Sequence, residues 1–194
     1  VAEDPDPKQI RAFLRDRDSA YDDDFVGVVL DTFDDERRAY EFFVNPLGAQ
    51  MDLVIDDTTG NEDDSWDGIW DSAGKITDTG FVVEMEIPLS TLRFQGGKDI
   101  QTWGADFLRF RPRDLRYRLS TQKMERGVNC YICQIGRIRG FHDVKPGSNL
   151  EITPTLTMRY AQSRDLPPSD FASEGIKFDA GADIKWGPTP NMTV

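Results

Sequence analysis

Histidine and cysteine are scarce in this sequence, and their scarcity excludes several common kinds of catalytic and metal site. The 194 residues include one histidine, His142, and two cysteines, Cys130 and Cys133. A thiolate zinc site needs four ligands, and no second cysteine pair supplies them. Ser-His-Asp and Cys-His triads are also excluded unless His142 serves, and no nucleophile motif stands out. We therefore expect neither a zinc protein nor a hydrolase of these types.

The state of the two cysteines depends on the conformation of the stretch between them. In a strand, their Cα atoms would lie roughly 10 Å apart, which is beyond the reach of a disulfide. A turn would still allow a local bridge. We expect free or packed thiols at Cys130 and Cys133, and we keep the local disulfide as the alternative.

Positive charge and long apolar runs are also in short supply. Lys and Arg number 23 against 35 Asp and Glu, which gives a formal charge of −12. Such a surface repels nucleic acid, so we expect no nucleic-acid partner. No apolar run is long enough for a membrane helix, and no signal peptide opens the chain. Because Val1 is not an initiator methionine and the chain ends within a strand-like pattern, we expect a fragment whose export signal lies upstream.

Long helical patterns are hard to find, whereas aromatic and β-branched runs bounded by Gly, Pro, Asn and Asp recur along the chain. Two such runs, 25–33 and 38–45, lie on either side of a polar loop and predict a β-hairpin. Pro46 is expected to end its second strand. Residues 9–14 could form one helical turn or a strand that enters the sandwich, and we favour the strand. The fold class we expect is all-β, an antiparallel β-sandwich of the immunoglobulin or jelly-roll kind.

The C-terminal part of the sequence has a different pattern. Apolar and polar residues alternate over 150–160 and again over 178–186, as in the strands of outer-membrane barrels, although two further soluble strands remain an alternative. Residues 163–175, with Pro167 and Pro168, predict a loop or linker between them. We place the domain boundary near Gly147, with a sandwich over 1–146 and a linker with the first strands of a barrel-like region over 147–194.

An acidic loop follows the strand predicted for residues 51–55. Calcium takes six to eight oxygen ligands from carboxylates and carbonyls, and this Gly-containing loop is rich in both. Its spacing is not that of an EF-hand, and an exposed acidic loop without metal is the alternative. The candidate calcium ligands are Asp56, Asp57, Asn61, Asp63 and Asp64.

Other charged residues have two interpretations each. Arg17 and its acidic neighbours belong either to a solvated loop or to a paired network beneath the hairpin. The arginines around Arg109 are expected to pair with acidic loops, with membrane phosphates as the alternative. Glu84 and Glu86 on the strand predicted for 81–87 have the residue type of a glycosidase pair, but outward, solvated carboxylates are far more common.

Two tryptophans close to the acidic loop suggest a binding surface. In an extended segment Trp66, Gly68 and Trp70 share a face, so the two indoles lie side by side. Exposed flat rings form a platform on which a sugar stacks, whereas buried rings are part of the core. For Trp66 the two interpretations are balanced, and for Trp70 the core is favoured.

As a series, these segments resemble the carbohydrate-binding family 9-like domain that precedes a bacterial outer-membrane β-barrel region. The resemblance spans most of residues 9–145, and the tail from Gly181 to Val194 resembles the entry into that barrel. The residues that carry it are Asp24 to Phe33, Ala39 to Phe42, Val44 to Gly48, Ser65 to Asp67, Trp70, Glu84 to Leu89, Leu92 to Phe94, Gln101 to Gly104 and Arg109.

The resemblance implies a β-sandwich that binds glycans, of a kind often found beside glycoside hydrolases, with a structural calcium in some relatives. It makes Trp66, Trp70 and Trp103 candidates for sugar stacking, and Arg109 a candidate for bonding sugar hydroxyls. The opening strands of the family would precede Val1, so the sheet here is incomplete or completed by something else.

We therefore expect a noncatalytic carbohydrate-binding module of a larger bacterial cell-envelope protein. Its partners would be a glycan and the C-terminal barrel of its own chain, and its location the periplasm or cell envelope, associated with the outer membrane. A periplasmic structural or docking domain that binds no sugar is the first alternative. An accessory part of a glycoside hydrolase is the second.

Overall fold

Antiparallel strands make up nearly all of the regular structure in this computed structural model, which describes residues 1–147, 150–164 and 170–186 without the side chains of Glu151 and Lys185. Helical structure in these ranges is limited to three turns of three residues each, Pro7–Gln9, Leu89–Thr91 and Ile132–Gln134. The strands are β1 (Ala2–Glu3), β2 (Phe25–Asp31), β3 (Arg38–Val44), β4 (Gln50–Asp56), β5 (Asn61–Asp63), β6 (Asp71–Thr77), β7 (Gly80–Glu86), β8 (Ile100–Pro112), β9 (Arg116–Ser120), β10 (Gly136–His142), β11 (Leu150–Ser163) and β12 (Ala172–Trp186).

The chain divides into two compact units, Val1–Gly147 and Ser148–Val194. This division lies one residue from the boundary predicted from the change in sequence pattern. The predicted linker residues Pro167 and Pro168, and the tail after Trp186, lie outside the described residues. No helix in the described ranges has the length and apolar character needed to cross a membrane.

The first unit contains two antiparallel sheets, and the predicted sandwich is confirmed. The larger sheet has the order β10-β8-β2-β3-β4-β5, and the smaller one the order β1-β7-β6. The hairpin predicted around the polar loop is β2 and β3, at the middle of the larger sheet. Its loop forms because Asp31 accepts hydrogen bonds from the backbone of Phe33 and Glu36, at 3.2 and 2.9 Å.

The long strand β8 joins three other strands. One edge of β8 pairs with the whole of β2. The other edge pairs with β10 in the first half of β8 and with β9 in the second half. Phe25 of β2 lies opposite Phe110, and Asp31 lies opposite Gly104. The larger sheet therefore depends on contacts between residues that are far apart in the sequence.

The two sheets face each other across one apolar cluster. Even-numbered residues of β2 and β3 and odd-numbered residues of β8 point to this side, as the two-residue period of strands requires. From the smaller sheet, Val83 and Met85 pack against the same cluster. Its fully or nearly buried members are Leu30, Phe42, Val44, Trp70, Leu92, Phe94, Trp103 and Ala105.

Loops cover the opposite face of the larger sheet. Phe25, Val29 and Phe43 point to this side, where Ala20 and Ile132 from two loops pack on them. The first loop is fixed because Asn45 donates to the Phe13 carbonyl and to the Asp23 carboxylate, at 2.8 and 2.9 Å. β2 and β3 are thus largely buried on both faces, which explains their nearly continuous apolar runs.

Two local predictions from the sequence are wrong. Residues 9–14 do not form a strand: a short helical turn ends at Gln9, and an extended segment without ladder pairing follows. Cys130 and Cys133 are not free thiols. The chain turns there instead of running as a strand, the Cα atoms lie 5.5 Å apart, and the two sulfurs form a disulfide.

The second unit, within the described ranges, is a long hairpin of β11 and β12. Its cross-strand pairs place apolar residues opposite apolar residues, such as Met158 opposite Phe178 and Ile152 opposite Ile184. Thr157 and Asp179 are opposite each other on the other face. The large apolar side chains of the two strands are between 51 and 73% exposed, so no described residue of this unit covers that face.

Candidate functional site

Trp66 lies on the segment that connects β5 to β6, at the edge of the inter-sheet cluster. Its ring centroid is 4.9 Å from that of Tyr40 and 5.8 Å from that of Phe42, and the residue remains partly exposed. The Trp70 ring lies 5.2 Å from Phe42 on the same side. The two indoles therefore share a face as predicted, but the segment is extended coil, and only Trp66 reaches solvent.

Gly68 allows this arrangement. A Cβ atom on Gly68 would lie 2.8 Å from the Trp66 ring and 2.9 Å from the Thr91 methyl group. Any side chain here would push the indole away from its position. The outward residues of the segment are Asp67, whose side chain is 64% exposed, and Ile69, which is 76% exposed.

Arg17 links this segment to the larger sheet. Its Nη2 donates to the Asp52 carboxylate and, at 2.7 Å, to the Gly68 carbonyl, while Nε lies 3.0 Å from Asp67. The backbone amide of Gly68 donates to Asp52 at 2.6 Å. The paired network is thus the interpretation of Arg17 that the structure shows, and it holds the loop in place.

Three carboxylates converge around Arg17. The oxygens of Asp18, Asp52 and Asp67 lie within 4.8 Å of one another, and no other group of this kind occurs among the described residues. Burial raises the pKa of Asp52 and of Asp18 above the usual range, although Arg17 acts in the opposite direction on both. The guanidinium occupies the position that a cation would take, so the cluster is already partly neutralised.

The five predicted calcium ligands do not converge in this way. Asp57 accepts a hydrogen bond from the backbone amide of Ile132 at 2.7 Å, and Asp63 accepts one from the hydroxyl group of Ser65 at 2.6 Å. Asp56 pairs with Arg38 at 2.7 Å, and hydrogen bonds from Thr58 and Arg38 lower its pKa to about 2. Asn61 and Asp64 are exposed at the same loop. These carboxylates are used to form the turn and to attach it to its neighbours.

Trp103 lies elsewhere, in the inter-sheet core. It is 1% exposed, and its ring stacks on Phe141 at 4.4 Å and contacts Phe94 at 5.3 Å. Trp70 is 4% exposed. Neither ring offers a free face to a ligand, so only Trp66 of the three predicted stacking residues contributes to an accessible surface.

Arg109 takes part in a separate ionic network. Its guanidinium donates to the Glu3 carbonyl and, at 2.7 Å, to Asp4, and it lies 5.4 Å from the centre of the Phe81 ring. Arg111 and Arg113 also donate to Asp4. This agrees with the predicted pairing of arginines with acidic groups, and it separates Arg109 from Trp66. The hydrogen bonds from Arg111 hold the pKa of Asp4 well below its usual range.

The remaining acidic candidates differ in their surroundings. Glu84 and Glu86 are exposed on the outer face of β7. Glu41, which the sequence did not single out, is 7% exposed on β3. Burial, with repulsion from Glu62, raises the pKa of Glu41 to about 7. The sequence did contain a signal for Glu41, namely a carboxyl group within an otherwise apolar strand.

Searches with protein-family models, among curated proteins and among solved structures find no match to the chain.

Proposed function

We propose that the first unit is a noncatalytic carbohydrate-binding module and that the surface around Trp66 binds the glycan. The observation that carries the proposal is a partly exposed indole on the same short segment as an exposed carboxylate. Sugars present apolar C–H faces that pack on indole rings and hydroxyls that bond to charged groups. Trp66 would supply the first kind of contact, and Asp67 with Arg17 the second.

The rigidity of the segment favours this role. Trp66 is held from below by Tyr40 and Phe42, and the loop is tied to Asp52 through Arg17 and the Gly68 amide. A binding surface that is ordered before the ligand arrives loses less conformational entropy on binding. Ile69, which is exposed beside Asp67, extends the apolar part of the surface.

A glycan array followed by calorimetry tests the proposal. We expect Trp66→Ala to weaken the glycan found on the array by about tenfold or more, which corresponds to the loss of one well-placed aromatic contact. Tyr117→Ala is the matched control, because Tyr117 is also a partly exposed aromatic residue, at 47%, but lies on β9. Equal affinity of both variants, with retained fold, would contradict the assignment to Trp66.

Calcium stays part of the proposal only as a structural ion of the acidic loop around Asp56. The screen is therefore run with calcium and again with a chelator. Binding that is lost in the chelator and restored by added calcium supports the ion. Equal binding in both conditions would contradict a role for calcium, and it would not affect the proposal that the surface around Trp66 binds the glycan.

We propose a second candidate function on a different observation. The exposed apolar face of β11 and β12 is typical of a strand pair that lies against lipid or against further strands of an outer-membrane barrel. In that case the first unit would be a periplasmic docking domain that binds no sugar, and the whole protein would belong to the cell envelope.

Flotation of the whole chain with lipid vesicles tests this alternative. We expect association that Met158→Asp weakens, because it places a charge on the apolar face. Thr155→Asp is the matched control, since it places the same charge on the other face of the same strand, opposite Gly181. A blank glycan array together with this pattern would favour the second function over the first.

A further inference from the structure

The smaller sheet leaves part of the larger sheet uncovered. Between β7 on one side and β2 and β8 on the other lies a groove of about 680 Å³. Apolar side chains line it, among them Val28, Val83, Met85 and Phe107. Phe107 is 55% exposed there, although it lies on the face that forms the inter-sheet core further along the sheet. The groove is thus an unfilled continuation of the core.

The edge of β7 beside this groove is open. The two residues of β1 pair only with Phe81 and Gly80. The remaining residues of β7, 82–86, have β6 on one side and, in the part of the chain that is described, no strand on the other. An open edge with unpaired amides and carbonyls is a template for an added strand.

β1 itself shows that the edge accepts a strand. A Cβ atom on Gly80 would collide with the Ala2 carbonyl, so the two backbones lie in close contact. Asp4, directly after β1, is bound by arginines from β8 and the segment after it. β1 is therefore firmly attached to the edge of β7. A strand placed next to β1 along the same edge would pair with residues 82–86 and would cover the groove.

The two faces of β7 specify what such a strand would carry. Directly opposed residues in an antiparallel pair point to the same face. Partners of Val83 and Met85 would point into the apolar groove, whereas partners of Glu84 and Glu86 would point to solvent. Glu86 already lies opposite Asp71 of β6, which adds a second negative charge at that position. Basic residues are therefore favoured opposite the glutamates, and apolar residues at the alternate positions.

We propose that β7 binds an extended segment of another polypeptide, with alternating apolar and basic residues, as an added antiparallel strand whose apolar side chains fill the groove. The occupant is defined by its main chain and by this alternation. The surface is distinct from the one around Trp66, and the inference does not rest on the carbohydrate-binding proposal.

The probe is a blocked seven-residue peptide in which valine and lysine alternate, titrated into the full chain. We expect it to bind at least about tenfold more tightly than the peptide in which glutamate replaces lysine, because two cross-strand charge pairs change sign. N-methylation of the peptide amides that face β7 should abolish binding, because it removes ladder donors. The amides of residues 82–86 that point away from β6 should become protected from hydrogen exchange when the peptide binds.

Two variants locate the interaction. Glu84→Lys with Glu86→Lys should reverse the preference toward the glutamate peptide, while Asp114→Lys with Glu125→Lys, which makes the same change in net charge at exposed positions elsewhere, should not. Phe107→Ser should weaken binding about tenfold through the groove. Leu115→Ser, at a 68% exposed position away from the groove, is its control.

Several outcomes would overturn the proposal. One is equal binding of the N-methylated peptide, and another is equal binding of the peptides with lysine and glutamate. A third is protection, before any peptide is added, of the amides of residues 82–86 that point away from β6. If sedimentation then shows a dimer, the edge is occupied by a second copy of this chain, and if it shows a monomer, the edge is occupied by its own chain.

Discussion

β7 in the sandwich and β11 in the second unit have the same alternation of apolar and polar residues, but different surroundings. Val83 and Met85 of β7 pack against the buried cluster of the larger sheet, whereas Leu156 and Met158 of β11 are 73 and 64% exposed. Alternation thus specifies which face of a strand is apolar. It does not specify what covers that face, which depends on elements distant in the sequence.

The largest difference between the two regions should come from deleting an apolar side chain. Phe42→Ala removes a fully buried ring at the centre of the inter-sheet cluster, and we expect the free energy of unfolding to fall by about 3–5 kcal/mol. Leu156→Ala should change it by less than about 0.5 kcal/mol, because the side chain is already in solvent. Urea unfolding followed by tryptophan fluorescence measures both. Similar losses would show that something covers β11 in solution.

The second largest difference between the two regions is expected from removing an ionic contact. The Asp4 side chain is buried and binds three arginines, so Asp4→Ala leaves uncompensated charges, and we expect a loss of about 3 kcal/mol. In the hairpin, Glu174 pairs with Lys177 at 3.5 Å, and both side chains are about half exposed. Glu174→Ala should cost less than about 0.5 kcal/mol. An equally small loss for Asp4→Ala would mean that β1 and its network are not formed.

pH provides a further contrast. Glu41 has a pKa of about 7 in the folded state against 4.5 as the ordinary value, so the folded state binds the proton more tightly. Ionisation of this buried group costs little stability below pH 4.5, an increasing amount up to pH 7, and a constant amount above. Glu41→Gln should therefore raise stability by about 2–3 kcal/mol at pH 8 and by little at pH 4.5.

The control for this pH effect is Glu174→Gln, which alters an exposed carboxylate of the hairpin. Thermal melts of both variants and of the unchanged chain, at pH 4.5 and pH 8, compare them directly. A gain for Glu41→Gln that is the same at both pH values would show that the carboxyl group has an ordinary pKa.

The smallest effect is expected from the disulfide. Cys130 and Cys133 close a short loop, and in the chain-entropy model such a loop contributes about 2 kcal/mol. Because Ile132 packs on the larger sheet from this loop, reduction should destabilise the first unit and leave the β11–β12 hairpin unchanged. Hydrogen exchange with and without reductant measures the two units separately. Loss of protection in β11 or β12 would contradict this separation.

Predictions from the sequence succeed where one segment contains all the information. β2, β3 and β7 were located because their apolar pattern and their Pro or Gly ends are local. The Arg17 cluster was foreseen only as an alternative, since Arg17, Asp52 and Asp67 come together only when β4 and the Trp66 segment are in place. The disulfide was expected only as the alternative, because the turn between the two cysteines was interpreted as a strand.

The same limit applies to the candidate site. The neighbourhood of Trp66, Gly68 and Trp70 followed from the two-residue period of an extended chain. Which ring remains accessible could not follow from it, because this depends on Tyr40 and Phe42 of a different strand. Trp103 is buried and Trp66 is partly exposed because different neighbouring strands surround them, although both are tryptophans.

The position of β8 also sets an order of events when the chain folds. The hairpins β2–β3, β6–β7 and β8–β9 join neighbouring segments, whereas the pairing of β2 with β8 joins segments with five intervening strands between them. Closing so long a loop costs entropy before its contacts form, so local hairpins come first and the β2–β8 seam closes late. Until that seam closes, β2 and β8 both present open apolar edges, and this is the stage at which chains are most exposed to misassociation.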